Sequence, residues 1–176
     1  FMAIGAYITS VITILANKYL ISTAILPDFA WPVIFFIALI IGGLMASLGA
    51  MIVAIPSFRT RGDYLAIISL AFMFIVKSAI ENIEKVGDFN VGGPRGLSGI
   101  PDWASLPIVF LWTVLCIWII NNFVKSVLGK ALNAVRDNEM AADAMTVNTR
   151  RTKFVAFLFG AFWAGIAGGL LAHVIL

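Results

Sequence analysis

Long apolar runs broken by short polar interruptions dominate the chain. The run WPVIFFIALIIGGLMASLGAMIVAI, Trp31 to Ile55, carries no charge for 25 residues. A helix crossing a hydrocarbon core of about 30 Å needs about 20 such residues, so this run predicts a membrane span. Pro32 suits its first turn, and Pro56 predicts its end. Phe154 to Leu176 predicts a second span, and Leu106 to Val124, with tryptophans at both levels, a third. Tyr64 to Ile80 is shorter and holds Lys77 near its end, where a long side chain can snorkel to the interface. FMAIGAYITSVITIL, from Phe1, reads as the remainder of a further helix. The pattern predicts an all-α, polytopic transmembrane helical bundle with about five membrane segments, one domain over residues 1–176. An apolar end, GGLLAHVIL, and a start at Phe1 rather than Met lead us to expect a longer parent sequence.

Composition fits that solvent. Hydrophobic residues make up 61% of the 176 and charged residues 12%, with a mean hydropathy of +1.02. A soluble domain carries about 25% charged residues. The net charge of +3 does not point to nucleic acid, because the basic residues are scattered among apolar runs instead of forming one basic face. Cys116 is alone, so it can form neither an internal disulfide nor a metal cluster.

Charge also predicts sidedness. Residues 56–63 and 125–153 fall on one side and together hold Arg59, Arg61, Lys125, Lys130, Arg136, Arg150, Arg151 and Lys153. The opposite side has Lys18, Lys77, Lys85 and Arg95, so eight against four makes the first side cytoplasmic. The connection 81–105 then faces outward. It includes NVGGPRGLSGIP, with Gly92, Gly93, Pro94, Gly96, Gly99 and Pro101. Membrane flanks and the lack of a following Lys-Ser/Thr pair argue against a phosphate loop. A solvated, turn-rich connection is one reading; a loop folded back on the mouth of a solute route, as a lid, gate or docking surface, is the other. Its 25 residues and the apolar Val91, Leu97, Ile100 and Trp103 favour the second.

The segment GKALNAVRDNEMAADAMTVNTRRTKF, Gly129 to Phe154, is too polar to span. Asp137 or Asn138 can cap a helix start and Glu139 suits its first turn, while Met140, Ala141, Ala144 and Met145 share one face. A short amphipathic helix across the membrane axis is expected. It could rest on lipid, pack under the bundle, or dock in a groove of another protein. Alanine and methionine without a Trp, Phe or Leu anchor favour the protein partner.

These residues, with RTRGDYLAIISL and GGPRGLSGIP, resemble the membrane permease subunits of bacterial ABC importers for branched-chain amino acids, the LivM type. Three separated motifs in the same order carry the resemblance, which extends over essentially the whole chain. It implies that Arg136, Asp137, Glu139, Ala141, Ala142, Ala144 and Met145 form the element coupled to ABC ATPase subunits. It further implies a bacterial inner-membrane protein that is not itself an enzyme. Its partners would be a second permease subunit, two ATPases holding ATP and Mg, and an extracytoplasmic substrate-binding protein delivering leucine, isoleucine or valine. Relatives of such permeases carry other small polar solutes such as urea, so an ABC permease of different cargo is the nearest alternative.

Other residues add less. Arg59, Arg61 and Asp63 read as positive-inside anchoring with an acid near a helix start, or as a second contact to the ATPase. His173 has no Asp, Glu, Cys or second His in its run, so packing or an interface role is favoured over a metal site or proton relay. Small residues recur at every fourth position, as Gly160, Ala164, Gly168 and Ala172, as Ala161, Gly165 and Gly169, and as Gly42, Ala46, Ala50 and Ala54, which predicts close helix packing. An ion-coupled transporter would place charges at mid-membrane, and an intramembrane enzyme would need a catalytic grouping; neither is visible.

Overall fold

A computed structural model describes residues 1–18, 31–58, 64–82, 85–86, 89–90, 97, 99–101 and 103–175. In chain order the elements are α1 (Met2–Ala16), α2 (Trp31–Ser57), α3 (Tyr64–Asn82), β1 (Lys85–Val86), β2 (Phe89–Asn90), α4 (Leu106–Lys125), α5 (Val127–Asp137), α6 (Glu139–Ala144) and α7 (Thr149–Ile175). The all-α expectation holds, with one small addition: β1 and β2 pair antiparallel, Lys85 opposite Asn90 and Val86 opposite Phe89. Among the described residues, α2, α4 and α7 are long and apolar enough to cross a membrane, and α1 is apolar but has 15 residues. The fourth expected segment forms α3, a helix of 19 residues.

Two helix ends differ from the sequence reading. Instead of stopping before Pro56, α2 runs through it to Ser57. A proline in the last turn removes only its own donor, and the ladder resumes beyond it, with the Phe58 N–H bonded to the Ala54 carbonyl at 3.0 Å. At the other boundary α7 starts at Thr149, not Phe154, because the Asn148 side chain accepts the Arg151 N–H at 2.9 Å. Arg150, Arg151 and Lys153 therefore stand on the first turns of a helix rather than in a loop.

The centre of the molecule is the trio α1, α2 and α7. In lipid, apolar burial gives little drive for helix association, so close backbone approach has to supply it through dispersion contacts. Gly5 and Gly165 provide such an approach: a Cβ on Gly5 would overlap the Gly165 backbone, and one on Gly165 would meet the Ala46 side chain at 2.5 Å. Gly42 abuts Thr9, Gly43 lies under Phe162 and Ile166, and Gly168 lies on the Met2 carbonyl. Gly42, Ala46, Ala50 and Ala54 are all buried in α2, as are Ala161, Gly165 and Gly169 in α7. Gly160 differs from the other small residues, since a Cβ there would meet nothing within 4 Å.

The pairings also fix direction. From Gly5 to Thr9 to Thr13, α1 meets Gly165, Gly169 and His173, so it runs alongside α7 in the same sense. Against the same α1 positions α2 descends, from Gly42 beside Gly5 and Thr9 to the Ala38 carbonyl beside Thr9. This is the alternation that consecutive spans require. Outside the trio, α4 buries Trp112 against a cluster of Phe35, Leu39, Trp163, Ile166 and Leu170, and Phe123 stacks on Phe159 at 4.2 Å. Ile108, Val109, Leu115, Cys116 and Ile119 pack on that cluster part-buried, and the outer side of α4 stays open, with Phe110, Ile117 and Trp118 among its exposed apolar side chains. An apolar exterior of this kind suits lipid.

Candidate functional site

Between α4 and α7 the chain makes a polar elbow of two helices. The sequence reading expected one helix, near residues 139–145, and missed α5. Its signals were present: Leu128, Ala131, Leu132 and Val135 fall at helical spacing, and Ser126 caps the start by accepting the Gly129 N–H at 3.3 Å. The turn from α4 into α5 is tight enough that a Cβ on Gly129 would come to 2.5 Å from the Phe123 carbonyl oxygen.

The next helix, α6, is short and held at both ends. Of the two candidate caps, Asn138 is the one used, its Oδ1 accepting the Ala141 N–H at 3.0 Å. Asp137 instead takes two bonds from its neighbour, from Arg136 Nε at 3.2 Å and Nη2 at 3.1 Å. At the far end the Val147 N–H reaches back to the Ala142 carbonyl and the Thr146 N–H to Asp143, both at 3.1 Å, with Thr146 at φ 64°. That is a Schellman ending with a threonine where glycine is usual, which holds a β-branched residue in the left-handed region. Glu139 then ties α6 to the foot of α7 through Lys153, whose Nζ lies 2.6 Å from Oε2.

What this fastening presents outward is apolar. Met140 is 86% exposed and Met145 77%, and Ala141 and Ala144 are exposed beside them. Ala142 alone of the named positions is buried, and it seats α6 on the protein while its neighbours face away. A short helix fixed by a cap, a turn and an ion pair, with two bare methionines, combines adaptable apolar side chains with a rigid base.

At the opposite end of the bundle, Leu97 is buried, Gly99 adopts φ 83°, and Trp103 and Ala104 pack on the core cluster, with Trp103 6.4 Å from Trp31. Pro101 accepts the Trp103 N–H at 2.8 Å. Of the connection 81–105, the described residues Leu97, Trp103 and Ala104 are the ones seated on the bundle. Beside it a cavity of about 250 Å³ opens between α2 and α4, lined by Pro32, Phe35, Phe36, Pro107, Ile108, Leu111 and Trp112. Gly92, Gly93, Pro94 and Gly96 lie outside the described residues, as do Arg59, Arg61 and Asp63. Lys77, expected to reach toward an interface, pairs with Glu81 at 3.8 Å. Among the described residues no group of His, Cys, Asp and Glu could hold a metal ion.

Residues 1–175 match the family described as the permease component of the branched-chain amino acid transport system. The chain belongs to that permease family. Two relatives are the high-affinity branched-chain amino acid transport system permease proteins LivM of Escherichia coli (strain K12) and of Salmonella typhimurium (strain LT2). They are 31% and 29% identical to this chain, over 78% of it and 40% of each relative. This permease chain thus spans less than half the length of the curated relatives it matches. No solved structure matches it significantly.

One feature of the permease escaped the sequence reading. Thr9, Ser10 and Thr13 are fully or almost fully buried on α1, and His173 is 2% exposed on α7. The favoured packed histidine is what the structure has: it continues the row Ala161, Gly165, Gly169 by one more step of four. On α1, Gly5, Thr9 and Thr13 make the matching row, a signal of the same spacing in a helix too short to have drawn attention.

Proposed function

We propose that this chain is the membrane-spanning part of a permease subunit in an ATP-binding-cassette importer of the bacterial inner membrane. In this reading it moves leucine, isoleucine or valine and hydrolyses nothing itself. The ATP and Mg belong to partner ATPase subunits, and a second permease subunit and an extracytoplasmic binding protein complete the machine. Family membership and the relatives' names support the solute class. The observation that carries the mechanism is the bare methionine face of α6, fastened to α7 through Glu139 and Lys153.

ATP binding draws the two ATPases together, and a groove on the one that meets this chain grips Met140 and Met145. Force enters α6, crosses the ion pair and the Schellman turn, and reaches the foot of α7, a helix of 27 residues. A rigid helix transmits displacement along its length, and packed interfaces switch between discrete arrangements instead of deforming smoothly. Inward and outward openings alternate as a result. At the outer end the connection carrying Gly99 and Pro101 acts as the gate over the solute route. Arg136 and Asp137, paired with each other at the rim, orient the elbow.

Met140→Asp combined with Met145→Asp places two carboxylates in that grip. Membrane insertion stays normal, since neither side chain is buried, and co-purification of the ATPase is lost. An ATPase that still co-purifies with the double variant at the native ratio refutes the proposal. The charge reversal Glu139→Lys with Met145→Asp has the same expected outcome, with loss of the Lys153 pair added.

A further inference from the structure

The permease reading leaves His173 unused, although it is the one titratable group buried in the described core of the trio. Its ring makes two bonds: Nδ1 lies 2.8 Å from the Gly169 carbonyl oxygen and Nε2 2.9 Å from Thr13 Oγ1. A carbonyl oxygen only accepts, so Nδ1 donates to Gly169. The Thr13 hydroxyl, which donates to the Ser10 carbonyl at 3.0 Å, has a single proton to share between that carbonyl and Nε2. Neither α1 nor α2 contains a charged residue, and α2 presents the Phe35 ring to the imidazole at 4.9 Å, edge to face. The site is an interhelical strut with no charged side chain on α1 or α2 beside it.

Its position gives the strut a consequence. Lys153, bound to α6, and His173, bound to α1, are twenty residues apart on α7, roughly 30 Å at about 1.5 Å per residue, the thickness of a hydrocarbon core. The elbow therefore holds one end of α7 and α1 holds the other. Between them Gly165, Gly168 and Gly169 bring α7 into backbone contact with α1 and α2, where a sliding step would drive atoms into each other. The seam to α4 is different in kind: it is made by side chains, of which Trp112 alone is fully buried and Ile108, Leu115 and Ile119 are part-buried, and an apolar cavity opens beside Phe36 and Ile108.

We propose that His173 is a positioning residue for transport: its bond to Thr13 locks α1 to α7, so that α1, α2 and α7 travel as one rigid body that α6 drives against α4. The inference rests on the importer reading, and it assigns the moving seam within that machine.

The test uses the assembled transporter, with spin labels at exposed apolar sites near the same membrane level. Between nucleotide-free and ATP-bound states the Leu15–Val174 separation, across α1 and α7, stays within about 2 Å, whereas Phe110–Val174, across α4 and α7, moves by several times that, as helices shifting at an interface do. Thr13→Val broadens the Leu15–Val174 distribution and lowers solute moved per ATP about fivefold, the factor one interhelical hydrogen bond supports. Thr13→Ser, which keeps the hydroxyl, restores both. A Leu15–Val174 change as large as that of Phe110–Val174 overturns the inference, as does an unaltered solute-to-ATP ratio in Thr13→Val. Should Thr13→Val fail to assemble, the two distances in the otherwise native protein decide. Absence of ATPase from the native complex overturns the importer reading and this inference together, while a normal complex with a flexing α1–α7 pair overturns the inference alone.

Discussion

Two glycines on the same span, Gly165 and Gly160, show how much a single hydrogen in place of a methyl can decide. At Gly165 a Cβ would stand 2.5 Å from the Ala46 Cβ and 2.9 Å from the Gly43 Cα, neither of which can move without moving a helix. At Gly160 it would stand in open space. Gly165→Ala is therefore expected to destabilise the trio by about 1 to 3 kcal/mol, the usual cost of overpacking a close contact. Gly160→Ala is expected to leave stability unchanged or raise it by up to about 1 kcal/mol through helix propensity. Thermal unfolding of the two variants in the same detergent checks both signs, and a Gly165→Ala protein as stable as Gly160→Ala would contradict the packing described here. Both glycines were equally conspicuous in the sequence, in neighbouring rows of small residues. Spacing identifies a face that permits close approach, but which face is used depends on the partner helices, and that information is not local. His173 was legible for the same reason: the absence of metal-ligating neighbours argued for packing. Its partner Thr13 was not, because a hydroxyl within an apolar run gives no sign of which helix it will meet.

At the scale of elements, hydropathy carried most of the assignment. Helices appeared at the five expected places, and among the described residues three of them, α2, α4 and α7, are long and apolar enough to cross a membrane, because a long apolar run has few alternatives in lipid. The errors lie at ends and in the elbow, where local hydrogen bonds override composition. Asn148 starts α7 ahead of its apolar run, and Ser126 starts α5 in a segment whose mixed polarity resembled a loop. Asn138 does the same for α6, and with only six residues that helix depends on its cap. Removing it with Asn138→Ala costs about 1 kcal/mol, which corresponds to about a fivefold larger open population of the helix and not to global unfolding. Hydrogen exchange at the Ala142 amide, bonded to the Asn138 carbonyl, is expected to speed up by that factor while exchange in α7 is unchanged. Asn138→Asp, which keeps an acceptor beside the helix N-terminus, is expected to exchange like the native protein. Equal protection in the alanine variant would show that the Schellman turn and the Glu139–Lys153 pair hold α6 without the cap.

For the whole molecule, sidedness links these elements to a mechanism. In the importer we propose, α6 meets an ATPase on the face where ATP is, and that proposal requires the connection carrying Gly99 and Trp103 to lie on the opposite side. Once the loops are taken to alternate, the sequence assigns eight of the twelve Lys and Arg residues to the α6 side, and the structure supports that alternation from α1 to α2 through the paired contacts of Gly5, Thr9 and Gly42. Thiol labelling in intact cells tests the orientation directly, with Cys116 first replaced by Ala so that no other cysteine reports from the described bundle. A cysteine at Asn133, exposed on α5, is expected to resist a membrane-impermeant maleimide until the membrane is opened, whereas one at Ser105, exposed at the cap of α4, reacts from outside at once. The reverse pattern would put Met140 and Met145 where no ATPase can reach them. The positive charge excess would then need another cause, and the force path from α6 through α7 to α1 would have no engine.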